Sequence, residues 1–308
     1  MNKRIAVIDL GTNTFHLLIA ERGAAGVNEL VRKEVAVKLG EGGINEGLIQ
    51  PAAFERGLAA LRDFHSVILQ HEVEQVRALA TSALRNAANG HDFIGHIKNE
   101  TGIKIEIIDG DAEAEFIFRG IKAAGCLSDK DSLIVDIGGG SVEFIICDKD
   151  RLKWKRSFEI GAARLMDRFH HRDPIAPESI TAQNIYLEDV LKPLFAAVSG
   201  YEIKELVGSS GVFETYAALA ESDKDKAFDP KKTTNYTFDK DQLLTILEKI
   251  VLSTHQQRAG NTLITPVRVD MIVTASILTR FIIEKLGIEK VGMSTNSLKE
   301  GALAEMMG

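Results

Sequence analysis

Cysteine, tryptophan and proline are all scarce in this sequence of 308 residues, which contains two, one and six of them respectively. The cysteines, Cys126 and Cys147, have no metal-ligand spacing and offer no framework of disulfides. Apolar residues flank both of them. This usage excludes a disulfide-stapled secreted scaffold and predicts two reduced core thiols in a cytoplasmic protein.

Long hydrophobic runs are missing as well. The apolar runs have the length of a β-strand, and none approaches the ~20 residues that a membrane helix needs. The N-terminal stretch MNKRIAVIDLG has a basic start but turns acidic within one strand. It is typical of the first strand of a fold and not of a signal peptide, so we expect no membrane span.

Basic residues are in the minority, because 37 lysines and arginines face 44 aspartates and glutamates and leave a net charge of −7. This balance argues against a broad nucleic-acid footprint, and we expect no nucleic-acid duplex as a partner. A protein of this charge binds a polyanion in a focused site with the help of a metal ion. The length exceeds one typical core and favours two domains.

One segment, IVDIGGGSVEFII at 134–146, places three consecutive glycines between Asp136 and Glu143. Glycine weakens a strand, so three in a row need a reason, and one reason is the close approach of backbone N–H groups to an anion. The two carboxylates would repel a phosphate unless a cation lay between them. The segment therefore predicts phosphate together with Mg²⁺, and a simple β-bulge is the alternative.

The opening stretch IAVIDLGTNTFHLLIA has the same design of strand, acid, tight turn and second strand. The aligned pairs are Asp9 with Asp136, Gly11 with Gly138, Asn13 with Gly140 and Thr14 with Ser141. A lone Asp-x-Gly is usually turn chemistry, but its duplication favours a functional site. Two hairpins of one design predict two domains of related topology.

Helical and strand patterns alternate between and after these hairpins, which predicts α/β domains with helices packed on mixed sheets. We expect a strand through Thr81 followed by a loop that carries Arg85, and a helix from Asp111 to about Ala124. The later patterns predict one long helix over 177–198, a polar surface excursion over 222–242 and a closing helix. The predicted domains are 1–122 with the closing helix at about 296–308, and 123–295.

Several motifs stand together in one order along the chain: IDLGTNTFHLLI, ATSALRNA, IIDGDAEAEFIFRG, VDIGGGSVEF, GSSG and RVDMIV. In this order, from Ile5 to Leu303, the sequence resembles the exopolyphosphatase and guanosine-pentaphosphate phosphatase (Ppx/GppA) family. The resemblance implies two ribonuclease-H-like domains with a cleft between them, the fold of actin, sugar kinases and heat-shock ATPases. Longer family members carry a further helical domain, so we expect the short two-domain form here.

The resemblance also implies an activity, the release of terminal phosphate from polyphosphate, from guanosine pentaphosphate, or from both. Asp136 and Glu143 match acids that resemble Mg²⁺ anchors acting through water, and Asp9 of the first hairpin is counted with them. Glu113 matches the water-activating carboxylate, although Ala112 replaces the first glutamate of the usual pair. The predicted catalytic residues are Glu113 and Arg85, which would grip phosphate with a bidentate fork. The predicted phosphate-binding residues are Gly11, Thr12, Asn13, Thr14, Gly138, Gly139, Gly140, Ser141, Gly208, Ser209 and Ser210.

Each of these assignments has a simpler alternative. Glu113 stands near a helix N-terminus, where the helix dipole favours an acid in any case. Arg85 could be a solvated loop charge, and GSSG could be a plain strand-to-helix turn. We expect Arg268 and Asp270 to form a structural salt bridge with each other. His16, at the position equivalent to Glu143, is expected to lie in or beside the core and not to bind a metal.

Two other functions remain open at this stage. One is an ATP-dependent kinase of the same superfamily, although no acceptor pocket or fuller adenosine loop is evident. The other is a nucleotide-gated assembly protein like actin. The sequence leaves the oligomeric state open, with a homodimer as one alternative.

Overall fold

Two mixed β-sheets organise the chain in the computed structural model, which describes residues 3–23 and 26–307. The first sheet has the strand order β3-β2-β1-β4-β5, in which β2 is antiparallel to both neighbours and β1, β4 and β5 are parallel. Its strands are β1 Arg4–Leu10, β2 Thr14–Gly23, β3 Gly26–Ala36, β4 Gln75–Ala80 and β5 Ile105–Ile107. The helices of this half are α1 Pro51–Gln70, α2 Ser82–Asn86, α3 Gly90–Thr101 and α4 Gly110–Ala123.

The second sheet repeats this order as β8-β7-β6-β9-β11 and adds the antiparallel edge strand β10. Its strands are β6 Ser132–Ile137, β7 Val142–Cys147, β8 Leu152–Phe158, β9 Glu205–Ser209, β10 Asn235–Thr237 and β11 Lys290–Ser294. The helices are α5 Ala162–Phe169, α6 Pro177–Val190, α7 Lys192–Val198, α8 Gly211–Ser222, α9 Lys240–Leu252, α10 His255–Ala259, α11 Met271–Lys285 and α12 Leu298–Met307. Each sheet is ribonuclease-H-like, which confirms the predicted fold class.

Hydrophobic residues form three buried clusters around these sheets. One lies between the first sheet, α1 and α3, and another between the second sheet and the helices that follow it. The third joins the two sheets, because residues of α4 and α12 pack there with Ile5 of β1, Ile134 of β6 and Val207 of β9. The central strands are therefore covered on both faces, as parallel strands of α/β proteins are.

The closing helix α12 returns to the first half of the chain and packs against α4 and β1. The two helices approach closely at Gly120 and Gly301. A Cβ on Gly301 would overlap the carbonyl oxygen of Phe116, and one on Gly120 would overlap that of Ser297. The sequence boundaries of the two domains stay a prediction, because α4 and α12 contact both sheets.

Two local predictions are wrong, and a third is incomplete. The helix expected over 177–198 is divided into α6 and α7, because Pro193 lacks the N–H group that a continuous helix would use there. The expected surface excursion is largely exposed, but it also contains β10, which pairs with β11. Arg85 lies on the short helix α2 and not in a loop.

Within the described part of the chain, no helix combines the length and the apolar character that crossing a membrane requires.

Candidate active site

A cavity of about 750 Å³ lies between the two sheets, at the ends of β1 and β6 where the two hairpin turns face each other. The starts of α4, α8, α11 and α12 complete its walls. All of the predicted turn residues line it, namely Gly11, Thr12, Asn13, Thr14, Gly138, Gly139, Gly140 and Ser141. The structure therefore brings the two duplicated motifs together at one site.

The glycines of the second turn allow the two halves of the protein to touch. A Cβ on Gly139 would overlap the side-chain amide of Asn13, and one on Gly140 would overlap the hydroxyl of Ser82. The carbonyl oxygens of the turn accept hydrogen bonds from the N–H groups of residues 161–163, which fixes the turn on the start of α5. In this conformation, the absence of side chains on these glycines lets the second turn approach residues of the opposite domain closely.

The carboxyl groups that line the cavity include Asp9, Glu113, Asp136 and Glu143, the acids that the sequence singled out. Asp136 and Glu143 are cross-strand partners of the β6–β7 hairpin. The hydroxyl of Ser297 donates to Asp136 Oδ2 at 2.6 Å, and that of Ser157 donates to Glu143 Oε1 at 2.6 Å. These serines, which the sequence analysis missed, orient the acids toward the cavity.

Burial raises the pKa of every one of these acids, because the low-dielectric surroundings disfavour the charged form. The pKa of Asp9 rises to about 7 and that of Glu143 to about 8, and the charge of Asp136 adds to the effect of burial in both cases. The pKa values of Glu113 and Asp136 are raised as well, first by burial. Such a cluster takes up protons or a cation at neutral pH.

The donor set suits a hard cation, because it consists of carboxylate and hydroxyl oxygens. Within residues 3–23 and 26–307, however, no three or more His, Cys, Asp or Glu side chains are arranged to hold a metal ion directly. Mg²⁺ commonly uses one or two carboxylates and keeps several waters. The residues present fit that mode of binding, in which Asp136 and Glu143 would be the anchors, with Asp9 beside them.

Glu113, on the first turn of α4, is 7% exposed and lines the cavity. Its position on the first helical turn agrees with the simpler alternative, but its burial in the cavity wall is not something that the helix dipole requires. Arg85 Nη1 donates to Glu113 Oε2 at 2.9 Å and to the carbonyl oxygen of Ile108 at 3.1 Å. Arg85 Nη2 lies 3.0 Å from Glu159 Oε1. Arg85 is thus no solvated charge, and it lies behind Glu113 without lining the cavity itself.

The segment GSSG contributes one residue to the cavity. Ser210 lines it, donates its hydroxyl to the carbonyl oxygen of Ile137 at 2.9 Å and has a positive φ of 78°, which is strained for a non-glycine residue. Gly208 and Ser209 lie inside β9 and do not line the cavity. A Cβ on Gly208 would overlap the ring of Phe213, so this glycine permits tight packing. The geometry gives no support to phosphate binding by these two residues.

The expected salt bridge between Arg268 and Asp270 is wrong. Asp270 Oδ1 is hydrogen-bonded to His255 Nδ1 at 2.6 Å. Arg268 instead lines the cavity, where its Nη2 lies 3.9 Å from Glu34 and 4.0 Å from Glu214. It passes over the start of α8, where Gly211 has no Cβ to obstruct it.

The sequence did not predict three further cationic side chains of the cavity wall, which are Arg32, Lys231 and Lys299. They lie on β3, in the loop before β10 and at the start of α12, so no local motif joins them. Lys299 lies 3.4 Å from Glu300, which also accepts from Arg32 Nη1 at 2.8 Å. Burial and the charge of Lys299 hold the pKa of His16 well below its ordinary value, so this histidine is neutral.

A cleft between two ribonuclease-H-like domains, walled by paired turns and buried acids, is typical of proteins that bind and transfer phosphoryl groups. Comparison with known proteins narrows this class. Residues 18–308 match the model of the Ppx/GppA phosphatase family, and the chain belongs to that family. The predicted family and the predicted class of hydrolase are confirmed.

Individual relatives agree with this assignment. The chain is 31% identical over 286 residues to Exopolyphosphatase 2 of Mycobacterium tuberculosis, which covers 89% of this chain and 88% of the relative. A crystal structure of an exopolyphosphatase from Cytophaga hutchinsonii superposes with a TM-score of 0.96 at 40% identity, over 99% of this chain and 98% of that one. The Ppx/GppA family member of Aquifex aeolicus shares the fold, with a TM-score of 0.82 at 23% identity over 100% and 98% of the two chains.

Proposed function

We propose that this protein is a Mg²⁺-dependent exopolyphosphatase that hydrolyses the terminal phosphoanhydride bond of inorganic polyphosphate. The observation that carries the proposal is the cavity itself, in which three buried acids and the half-buried Asp9 lie beside two glycine-containing turns. The exopolyphosphatases of Mycobacterium tuberculosis and Cytophaga hutchinsonii, to which the chain is similar over most of its length, support polyphosphate as the substrate.

The residues have separate tasks in this reaction. Asp136 and Glu143 would anchor Mg²⁺ through water, and the metal would supply neutralisation of phosphoryl oxygens when bound. The two hairpin turns hold the terminal phosphoryl group between the domains. Glu113 orients the attacking water and accepts its proton, for which it must be ionised. A cation near the acid cluster favours the ionised form of Glu113.

The test is phosphate release from polyphosphate of defined lengths in the presence of Mg²⁺. Guanosine pentaphosphate and ATP are run in parallel, because the first is the other substrate of the family and the second tests the kinase and actin-like alternatives. Asp136→Asn, which keeps the shape but removes one anchor, is expected to require far more Mg²⁺ for the same rate. Equal phosphate release in EDTA and in Mg²⁺ would contradict the proposal.

The mode of degradation follows from the charge distribution. The protein is acidic overall, with a net charge of −7. The cationic side chains that could bind the substrate are confined to the cavity wall. Such a site holds few phosphates, so we expect a preference for short chains and distributive cleavage. Gel analysis of partial digests should show a ladder of intermediate lengths. Long polymer that coexists only with small end products would show the opposite, processive behaviour.

A further inference from the structure

Glu159 connects the two halves of the protein beside the active site. It follows β8 in the second half, and its Oε1 lies 3.0 Å from Nη2 of Arg85 in the first half. Its Oε2 accepts from the hydroxyl of Ser82 at 2.6 Å and lies 3.1 Å from Nη2 of Arg164. One carboxylate thus has partners on both sides of the cleft.

This contact occupies the guanidinium group that the sequence assigns to phosphate. Arg85 is held by two carboxylates, Glu113 through Nη1 and Glu159 through Nη2, and it does not line the cavity. A phosphoryl oxygen would need the same planar fork of N–H donors, because guanidinium binds carboxylate and phosphate with one geometry. Phosphate and Glu159 are therefore alternative partners for Arg85.

Glu159 can give up Arg85 without becoming an unpaired charge. Its side chain is 41% exposed, and Ser82 and Arg164 would remain its partners. Arg164 is itself fixed, since its Nε donates to the carbonyl oxygen of Gly140 at 2.9 Å and its Nη1 to that of Ile44 at 2.6 Å. The exchange thus leaves the second turn and the contact between the domains in place.

On the basis of the proposed phosphatase site, we propose that Glu159 is a positioning residue that acts through Arg85. Its carboxylate holds Arg85 Nη2 outside the cavity until an oxygen of the terminal phosphoryl group takes its place. Arg85 thus becomes a ligand of the substrate only when a phosphoryl oxygen replaces the carboxylate of Glu159. No bond other than hydrogen bonds and ion pairs changes in this step.

The proposed exchange predicts a change in phosphate affinity that damage to the fold would not produce. Removing the competing charge in Glu159→Gln should increase the affinity for inorganic phosphate, whereas a merely structural role would leave it unchanged or lower it. A partly exposed ion pair contributes up to about 1 kcal/mol, so we expect binding of phosphate to tighten by up to about fivefold. Isothermal titration calorimetry of the full-length protein with inorganic phosphate measures this directly.

Two controls accompany this variant. Asp167→Ala removes another contact between the halves, the hydrogen bond from Asn45 Nδ2 to Asp167 Oδ2 at 2.7 Å, but does not involve Arg85. It should bind phosphate as the wild type does. Adding Arg85→Met to Glu159→Gln should abolish the gain, because the arginine is the group for which the two anions compete.

Unchanged or weaker phosphate binding by Glu159→Gln would overturn the proposal, as would a gain that persists without Arg85 or no phosphate binding by any of these proteins. If Glu159→Gln does not fold, Glu159→Asp replaces it, since the shorter side chain keeps the charge but loses reach toward Arg85, and it should also bind phosphate more tightly. Failure of the proposed phosphatase would show separately, as a wild-type protein that releases no phosphate from polyphosphate with Mg²⁺.

Discussion

Glu113 is a buried acid with one strong partner, and both properties bear on its use as a base. Burial and the nearby Glu143 raise its pKa, whereas the guanidinium of Arg85 at 2.9 Å opposes that shift. An acid in this position accepts a proton readily once it is ionised, since proton transfer is favoured when the pKa of the base approaches the working pH. It lines the cavity, where the attacking water of the proposed reaction would lie.

We predict that Glu113→Gln lowers kcat by ~10²–10⁴-fold with little change in KM, because the amide keeps the shape but cannot accept the proton. The melting temperature at pH 8 should not fall, since a neutral side chain relieves the cost of burying a charge. Asp111→Asn is the matched control, because Asp111 lies on the same helical turn but is exposed. Retention of more than about a tenth of wild-type kcat by Glu113→Gln would place the base elsewhere.

At the residue scale, Asp9 and Asp136 could be predicted because the chain carries their motif twice, whereas Glu113 was predicted only through the family resemblance. Arg85 was predicted to lie near Glu113, and it does, but the sequence does not show that Glu159 also pairs with it. Arg32 and Lys299 could not be found at all. They come from opposite ends of the chain and meet only through the packing of α12.

Helices α4 and α12 show how two elements can require glycine on the faces they share. The backbones meet where Gly120 and Gly301 lack side chains, and any Cβ there would overlap a carbonyl oxygen of the other helix or its N-terminal turn. Because this pair of helices packs between the two sheets, its spacing affects the placement of both halves of the active site.

We therefore predict that Gly301→Ala destabilises the protein by about 1–3 kcal/mol, although alanine is the better helix former. Gly95→Ala is the matched control in helix α3, since a Cβ there meets nothing within 4 Å. That change should stabilise the protein by about 0.5–1 kcal/mol through helix propensity alone. Urea denaturation compares the two, and a Gly301→Ala protein as stable as Gly95→Ala would show that the helices are free to move apart.

Most elements could be predicted from their periodicity, and the exceptions have local causes. The apolar pattern of α6 continues into α7, so the pattern hides the break that Pro193 introduces. The edge strand β10 spans Asn235–Thr237 and has too few residues to show alternation. Its structure comes from pairing with β11, which a single sequence does not reveal.

For the molecule as a whole, the acid cluster makes stability depend on pH. The pKa of Asp9 is raised from 3.8 to about 7 and that of Glu143 from 4.5 to about 8. The folded protein thus holds protons that the unfolded chain releases, so these groups contribute full stability below about pH 4. This contribution is lost as the pH rises through 7 and 8.

We predict that the melting temperature of the metal-free protein falls between pH 5 and pH 9, and that Mg²⁺ raises it more at pH 8 than at pH 5. A cation binds the ionised cluster of the native state and offsets the repulsion within it. Differential scanning fluorimetry over a pH series, with and without EDTA, tests this. Glu143→Gln should flatten the dependence, and equal Mg²⁺ shifts at both pH values would contradict it.

The return of α12 to the first sheet has a consequence for synthesis. Residues of β1 leave the ribosome early, whereas the helix that covers them follows Ser297 near the far end of the chain. The apolar surface of the first half that α12 covers therefore stays exposed while the second half is translated and folds. Lys299 and the hydroxyl that orients Asp136 arrive last. A prematurely terminated chain would thus lack both the cover of its first sheet and part of its active site.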